Sequence, residues 1–189
     1  MVALCLLAAG GPGIAQGGQA SGAAGSVIVG SRAIPVTIRT DMGRRSVVEA
    51  ACVIPAPQDA VWRVLTDYDH LADIVPFLTE SRVTGETGGA KVLQQAGRGR
   101  LWIFHRSFAV TFGVEEQPES FIAFRALAGD FRTFDGFWRV EPTAEGTRVR
   151  HQVVIEPKFY LPRWAMRVVA RYLMRASLEG VIRRCLVVE

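Results

Sequence analysis

Two polar residues stand out because each interrupts an apolar, alternating segment. Arg106 shares a period-2 face with Phe104 and Phe108, and His151 shares one with Val153. If those faces line a cavity, the guanidinium would hold a carboxylate, phosphate or enolate, and the imidazole would polarise a substrate or shuttle protons. The alternative is an arginine extending outward over aromatic rings, and a hydrogen-bonded core histidine. The sequence leaves both interpretations open.

Other residue types that support catalysis or metal binding lack the required spacing. The three histidines form no ligand pair at helical spacing. Asp67, Asp69, His70 and Asp73 cluster, but they suit helix caps and turns better than a metal site. The serines lack a nucleophile-elbow context, and the N-terminal glycines precede no helix that would bind phosphate. We therefore expect neither a metal nor a cofactor.

The elements that would position Arg106 and His151 are predicted by apolar spacing and turn signals. A strand at 46–54 is followed by a helix at 58–66 and a short helix at 70–75. Breaks at 88–89, 98–100, 117–120, 129–130 and 144–146 then separate six extended segments. These segments are 80–86, 91–97, 101–116, 121–127, 131–140 and 147–156. Residues 27–29 and 34–39 are also compatible with strands.

The last predicted element is a helix at 163–184, since this segment has no proline and a single glycine. One side of it is apolar and is expected to pack on the sheet; it comprises Leu161, Ala165, Val168, Tyr172 and Ala176. Another side carries an arginine every four residues and is expected to face outward; it comprises Arg163, Arg167, Arg171 and Arg175.

Composition excludes several classes of protein. The 189 residues are 49% hydrophobic and 21% charged, which suits one globular domain and not a disordered tail. No apolar run reaches the ~18–20 residues of a membrane-spanning helix. The net charge of +4 is concentrated in residues 158–189, which hold seven basic and two acidic residues. This asymmetry indicates an anionic partner, such as a membrane surface or nucleic acid, or else a solvated helix face.

The N-terminal segment resembles a secretory signal. An apolar run at 2–9 precedes a small-residue stretch, which predicts cleavage after residue 15 and a periplasmic or cell-envelope location. No basic residue precedes the run, which departs from a typical secretory signal. If the segment is genuine and is not cleaved, we expect a cytoplasmic location. We expect a flexible linker with a possible N-terminal strand at 16–45, and a ligand-binding domain at 46–189. Cys52 and Cys185 would remain, either paired or as two buried thiols.

Several short segments together are similar to the polyketide cyclase/dehydrase branch of the SRPBCC, or START-like, superfamily, including the coenzyme Q-binding START-type proteins. They are VIPAP at 53–57, VWRVLTDY at 61–68, VPF at 75–77, DGFWRVEP at 135–142, GTRV at 146–149 and FYLPRW at 159–164. The resemblance covers about 46–185. It implies an α+β helix-grip fold, in which a curved antiparallel sheet wraps round the long C-terminal helix and encloses an apolar cavity.

The resemblance implies a hydrophobic ligand in that cavity, such as a lipid, an isoprenoid quinone or a sterol-like molecule, which is bound and in some members transported without catalysis. The alternative is a cyclase, dehydratase or aromatase, so the question of enzymatic activity stays open. The candidate pocket residues are Trp102, Phe104, Arg106, Phe108, Phe112, Phe124, Phe134, Trp138, His151, Val168 and Tyr172. The four arginines of the last helix are candidates for contact with an anionic membrane. Nucleic-acid binding is disfavoured because these arginines are not interleaved with exposed aromatics in a recognised motif. The oligomeric state is not determined.

Overall fold

A computed structural model describes residues 25–29, 32–40, 45–101 and 104–187. The strands are β1 (Gly25–Val29), β2 (Arg32–Thr40), β3 (Ser46–Ile54), β4 (Leu78–Thr87), β5 (Ala90–Leu101), β6 (Phe104–Gln117), β7 (Phe121–Gly129), β8 (Phe131–Thr143) and β9 (Gly146–Pro157). The α-helices are α1 (Gln58–Thr66), α2 (Leu71–Ile74) and α3 (Arg163–Val187), and a short 3-10 helix, Tyr68–His70, precedes α2.

The strands in the described part of the chain form one antiparallel sheet. Its spatial order is β1-β2-β3-β9-β8-β7-β6-β5-β4. The run from β4 to β9 is a meander, because strands consecutive in sequence are also neighbours in space. β3 closes onto β9 in a continuous register from Ser46 opposite Ile155 to Ile54 opposite Thr147. The predicted α+β architecture, with an antiparallel curved sheet and a long C-terminal helix, is confirmed.

The helices pack on the sheet through apolar side chains. The predicted inner face of α1 is confirmed, since Val61, Val64 and Leu65 are buried. A single core joins α1, α3 and the sheet strands. The short α2 lies so close to α3 that a Cβ atom on Gly180 would stand 1.9 Å from the Ile74 carbonyl oxygen. This approach requires glycine at position 180. Within the described residues, no helix is both long and apolar enough to cross a membrane.

One local expectation about the strands differs from the structure. The predicted break at 98–100 is wrong: β5 continues to Leu101, and Arg98 pairs with Ser107 of β6. Cross-strand hydrogen bonds hold these residues extended despite the glycine. Within 16–45, two strands, β1 and β2, are present. The predicted signal at 1–15 lies outside the described residues and stays a prediction. Cys52 and Cys185 are free thiols.

The inner face of α3 also differs from the sequence-based assignment. Val168 and Tyr172 are 49% and 51% exposed, so their predicted packing against the sheet is wrong. The residues one position further along the chain, Val169 and Leu173, face the interior instead. At these positions the side that faces the cavity thus lies about 100°, or one residue of an α-helix, from the predicted one. Ala165 and Ala176 of the predicted apolar side are buried, as expected.

Candidate functional site

A cavity of ≈540 Å³ lies between the sheet and α3. This volume falls within the range of small-molecule binding sites, ~300–1,000 Å³. Six of the predicted pocket residues line it, and all six lie on β6 to β9: Phe108, Phe112, Phe124, Phe134, Trp138 and His151. The facing wall is provided by α3 and includes Met166, Val169, Ala170, Leu173, Met174 and Ser177.

The sheet side of the cavity is a cluster of phenylalanines. Phe112 makes edge-to-face contacts with Phe124 and Phe134, with ring centroids 5.5 and 5.1 Å apart. Phe131 contacts Phe134 in the same way at 4.9 Å. Alternation along each strand brings these rings to one face. They form a rigid apolar wall that would contact the hydrocarbon of a ligand.

His151 is the buried basic side chain of this wall. Its ring stacks on that of Trp138, with centroids 3.5 Å apart and 6° between the planes. Its Nδ1 lies 3.0 Å from the carbonyl oxygen of Phe137 on the neighbouring strand. Burial lowers the pKa of His151 to about 4, although the backbone hydrogen bond acts in the opposite direction. The imidazole is therefore neutral at physiological pH.

A polar network borders another part of the cavity. The hydroxyl of Tyr68 donates to Glu116 Oε1 at 2.8 Å, and Lys91 Nζ donates to the same oxygen at 2.6 Å. Burial, together with Glu116, raises the pKa of Tyr68 above its ordinary value. Gln95 donates to Ser81 Oγ at 3.1 Å, and Ser81 donates to the Tyr68 carbonyl. These bonds fix Tyr68 and Gln95, which both line the cavity.

The remaining pocket candidates are distributed differently. Trp102 lies outside the described residues, and for Phe104 and Arg106 the structure describes the backbone of β6 but not the side chains. Val168 and Tyr172 lie on the exposed side of α3 and do not line the cavity. The proposed role of Arg106 in binding an anion therefore stays a prediction.

Sequence reasoning missed four polar residues that line the cavity, namely Tyr68, Gln95, Tyr160 and Ser177. Gln95 lies two residues after Leu93, which is buried. Period-2 spacing therefore places Gln95 on the same inward face and could have identified it. Ser177 follows Leu173 by four residues, which places both on one helix face. Tyr68 stands in a 3-10 helix, where neither period applies.

A second candidate surface lies on the outside of α3. A shallow groove there is lined by Arg163, Trp164, Arg167, Val168 and Arg171. We call these five residues the outer α3 surface. Trp164 is 63% exposed, and Tyr160, just before the helix, is 73% exposed. Arg163 and Arg167 are also exposed, whereas Arg171 and Arg175 are half-buried. Within the described residues, no group of three His, Cys, Asp or Glu side chains is arranged to hold a metal ion.

Comparison with models of known protein families identifies the family of this chain. The family model described as "Polyketide cyclase / dehydrase and lipid transport" matches residues 54–181, which is more than half of the chain. The chain belongs to this family. The resemblance inferred from the sequence motifs is thereby confirmed. The matched segment contains β4 to β9, α1, α2 and most of α3, and so includes every residue that lines the cavity except Val48 of β3.

Solved structures of START and aromatase/cyclase proteins share the fold of this family member. The STAR-related lipid transfer protein of Xanthomonas axonopodis superposes with a TM-score of 0.64 at 16% identity, covering 87% of this chain and 98% of that one. Human STARD10 superposes with a TM-score of 0.66 at 12% identity, covering 87% and 73%. The Zhui aromatase/cyclase of Streptomyces sp. R1128 superposes with a TM-score of 0.61 at 19% identity, covering 75% and 94%. No protein of curated function matches the sequence.

Proposed function

We propose that this family member binds a hydrophobic small molecule, such as a lipid, an isoprenoid quinone or a sterol-like molecule, in the cavity between the sheet and α3, and performs no chemistry on it. The observation that carries the proposal is the ≈540 Å³ cavity with its predominantly apolar lining. Transfer of a ligand's apolar surface out of water into such a site is favourable by ~25 cal/mol per Å².

The ionisable groups of the cavity support binding over acid–base catalysis. Among the described lining residues, they are His151, Tyr68 and Tyr160. Tyr68 is committed to Glu116 through its hydroxyl. No lining carboxylate, lysine or arginine is found in the described part of the chain to form an acid–base pair with His151. A general acid–base mechanism would need a partner of suitable pKa within hydrogen-bond reach.

Native mass spectrometry of the purified full chain, combined with lipid extraction, tests this proposal. We expect a co-purifying mass that is released by organic solvent and identified in the extract as a lipid, quinone or sterol-like molecule. If none is found, the folded protein is incubated with a lipid extract of bacterial envelopes and measured again. A folded protein that stays empty after both steps contradicts the proposal.

A second candidate function is a cyclase, dehydratase or aromatase reaction in the same cavity. The observation that favours it is a neutral, buried imidazole at the cavity wall. The chain also shares its fold with an aromatase/cyclase. The full chain and a His151→Phe variant would be incubated with a linear poly-β-keto substrate and the products analysed by mass spectrometry. Loss of one or more water molecules from the substrate, dependent on His151, would establish this second function.

We further propose that the outer α3 surface meets an anionic membrane. Its arginines match negatively charged headgroups, at ~1 kcal/mol for each basic residue near such a surface. The exposed rings of Trp164 and Tyr160 suit the interface between water and hydrocarbon. Leu161 follows Tyr160 and lines the cavity, so this surface adjoins the ligand site.

Vesicle flotation with charge-matched variants tests the membrane contact. Arg163→Gln/Arg167→Gln removes two exposed charges at the beginning of α3, and Arg183→Gln/Arg184→Gln removes two exposed charges near its end. We expect the first variant to bind vesicles containing anionic lipid about thirtyfold more weakly than wild type, since two charges contribute ~2 kcal/mol, and the second to bind them as wild type does. Equal binding by all three proteins would show that the outer α3 surface is not the contact.

A further inference from the structure

The imidazole of His151 is held with one nitrogen toward the protein. Nδ1 lies 3.0 Å from the Phe137 carbonyl oxygen, which only accepts hydrogen bonds, so Nδ1 carries the proton and donates it. Stacking on Trp138 fixes the plane of the ring. A centroid distance of 6.0 Å places the ring of Phe124 beside it as well. The orientation of the imidazole is thus determined by the sheet before any ligand enters.

This arrangement makes Nε2 a hydrogen-bond acceptor. A neutral imidazole that carries its proton on Nδ1 has a lone pair on Nε2 and accepts a hydrogen bond there. Burial keeps the ring neutral, because it lowers the pKa of His151 to about 4. In the described part of the chain the imidazole makes no second hydrogen bond, and the residue borders the cavity. Such an acceptor becomes costly when a bound ligand covers it and leaves it unpaired.

Two other polar groups of the cavity are already engaged. Tyr68 donates its hydroxyl proton to Glu116, and Gln95 donates from its amide nitrogen to Ser81. Tyr68 therefore uses its one donor within the protein, and Gln95 uses one of its two. His151 resembles Tyr68 in this respect, because the hydrogen bond it makes consumes its one donor and leaves only an acceptor.

We propose that the ligand is a hydrophobic molecule bearing a hydroxyl group, and that this hydroxyl donates to Nε2 of His151. The inference rests on the proposed binding function and adds the polarity of the ligand to it. An apolar ligand without a donor would fill the cavity but leave Nε2 unpaired. A ligand hydroxyl would donate a hydrogen bond to Nε2, while the hydrocarbon part of the ligand contacts the phenylalanine wall.

Displacement of the apolar fluorophore diphenylhexatriene by a matched pair of compounds tests this inference. Dodecan-1-ol and 1-methoxyundecane have the same number of non-hydrogen atoms, and both contain oxygen, but only the alcohol donates a hydrogen bond. We expect the wild-type full chain to bind the alcohol about tenfold more tightly than the ether, which corresponds to about one net hydrogen bond. Equal affinities would overturn the inference and leave the proposed binding function standing. Failure of both compounds and of the fluorophore to bind would overturn both.

Two variants test whether His151 is the residue that causes the preference for the alcohol. His151→Phe is expected to bind the ether as wild type does and to lose the preference for the alcohol. His70→Phe is the matched control, since His70 is exposed and bonded to Asp67 at 2.7 Å, away from the cavity lining. It should keep the tenfold preference. A preference that survives in a folded His151→Phe protein would contradict the assignment.

Nitrogen NMR of the histidine-labelled wild type gives a readout that does not depend on a variant. We expect a protonated Nδ1 and an unprotonated Nε2 for His151 at pH 7. Addition of dodecan-1-ol should shift the Nε2 resonance toward that of a hydrogen-bonded acceptor, and 1-methoxyundecane should not. Observation of a proton on Nε2, or an identical response to both compounds, would overturn the inference.

Discussion

The rings of Trp138 and His151 stack face to face across β8 and β9, with their centroids 3.5 Å apart and their planes 6° from parallel. The two residues are direct partners in the register of the strands. Their side chains therefore leave the sheet at the same level and on the same face. The stack buries the imidazole at the cavity wall, and this burial governs both its protonation and its availability to a ligand.

Acidification is expected to destabilise the protein through His151. In the unfolded chain this histidine is protonated below about pH 6.5, whereas in the folded protein burial lowers its pKa to about 4. Between these values the unfolded state binds more protons, so the free energy of unfolding falls as the pH falls. Urea unfolding at pH 7 and pH 5 should show a loss about 2 kcal/mol larger in wild type than in His151→Phe. The same loss in both proteins would show that the pKa of His151 is not lowered.

Gly180→Ala is expected to destabilise the fold. Alanine would normally stabilise a helix relative to glycine by ~1 kcal/mol. Here the new methyl group would stand 1.9 Å from the Ile74 carbonyl oxygen, so α2 and α3 would have to separate. Chemical denaturation should reveal a loss of ~1–3 kcal/mol, as for other overpacked sites.

Gly85→Ala in β4 is the matched control for this substitution, because no atom lies within 4 Å of the position of its Cβ. We expect it to be neutral or slightly stabilising. A Gly180→Ala protein as stable as this control would show that the two helices are further apart than described.

The two thiols are expected to resist alkylation in the folded protein. Burial raises the pKa of both Cys52 and Cys185 to about 11 from the ordinary 9. The reactive thiolate fraction at pH 7.5 is then about 100-fold smaller than for a free thiol. The chain has a third cysteine, Cys5, in the N-terminal segment, and the test therefore uses a Cys5→Ser background. There, iodoacetamide should label the native protein at least 100-fold more slowly than the urea-unfolded protein. Comparable rates in the two states would contradict the described burial.

Enlarging a residue on the inner face of α3 is expected to block the cavity. Ala170 lines it and is 7% exposed, so Ala170→Phe would place a ring in the space available to a ligand. Diphenylhexatriene binding should weaken by about tenfold or more. Tyr172→Trp adds bulk on the exposed side of the same helix and should leave binding unchanged. The reverse order of effects would support the inner face predicted from the sequence.

Much of the architecture could be predicted because it depends on local rules. The span of α1 and its buried face followed from the spacing of Val61, Val64 and Leu65. Alternation placed Val110, Phe112 and Val114 of β6 on one face, and all three are buried. Glycine and arginine at 98–100 wrongly predict a break, because the pairing of these residues with β6 is a non-local interaction that no short window contains.

The cavity shows where pattern reasoning reaches its limit. Residue type and period placed Phe112, Phe124, Phe134, Trp138 and His151 on faces that the sheet turns inward. The neutral state of His151 was not predictable, because it follows from its burial beside Trp138 and from its bond to Phe137. Trp138 is thirteen residues away along the chain, so only the pairing of β8 with β9 brings the two rings together.

By itself, the sequence determined which residues share a strand or helix and therefore lie side by side, because backbone periods are local. It also determined family membership, through motifs that span most of the domain. The tertiary structure decided which side of α3 faces the ligand site. Apolar residues occupy two adjacent stripes of that helix, one through Val168 and Tyr172 and the other through Val169 and Leu173. Neither stripe is preferred until the sheet packs against the helix and the second stripe comes to line the cavity.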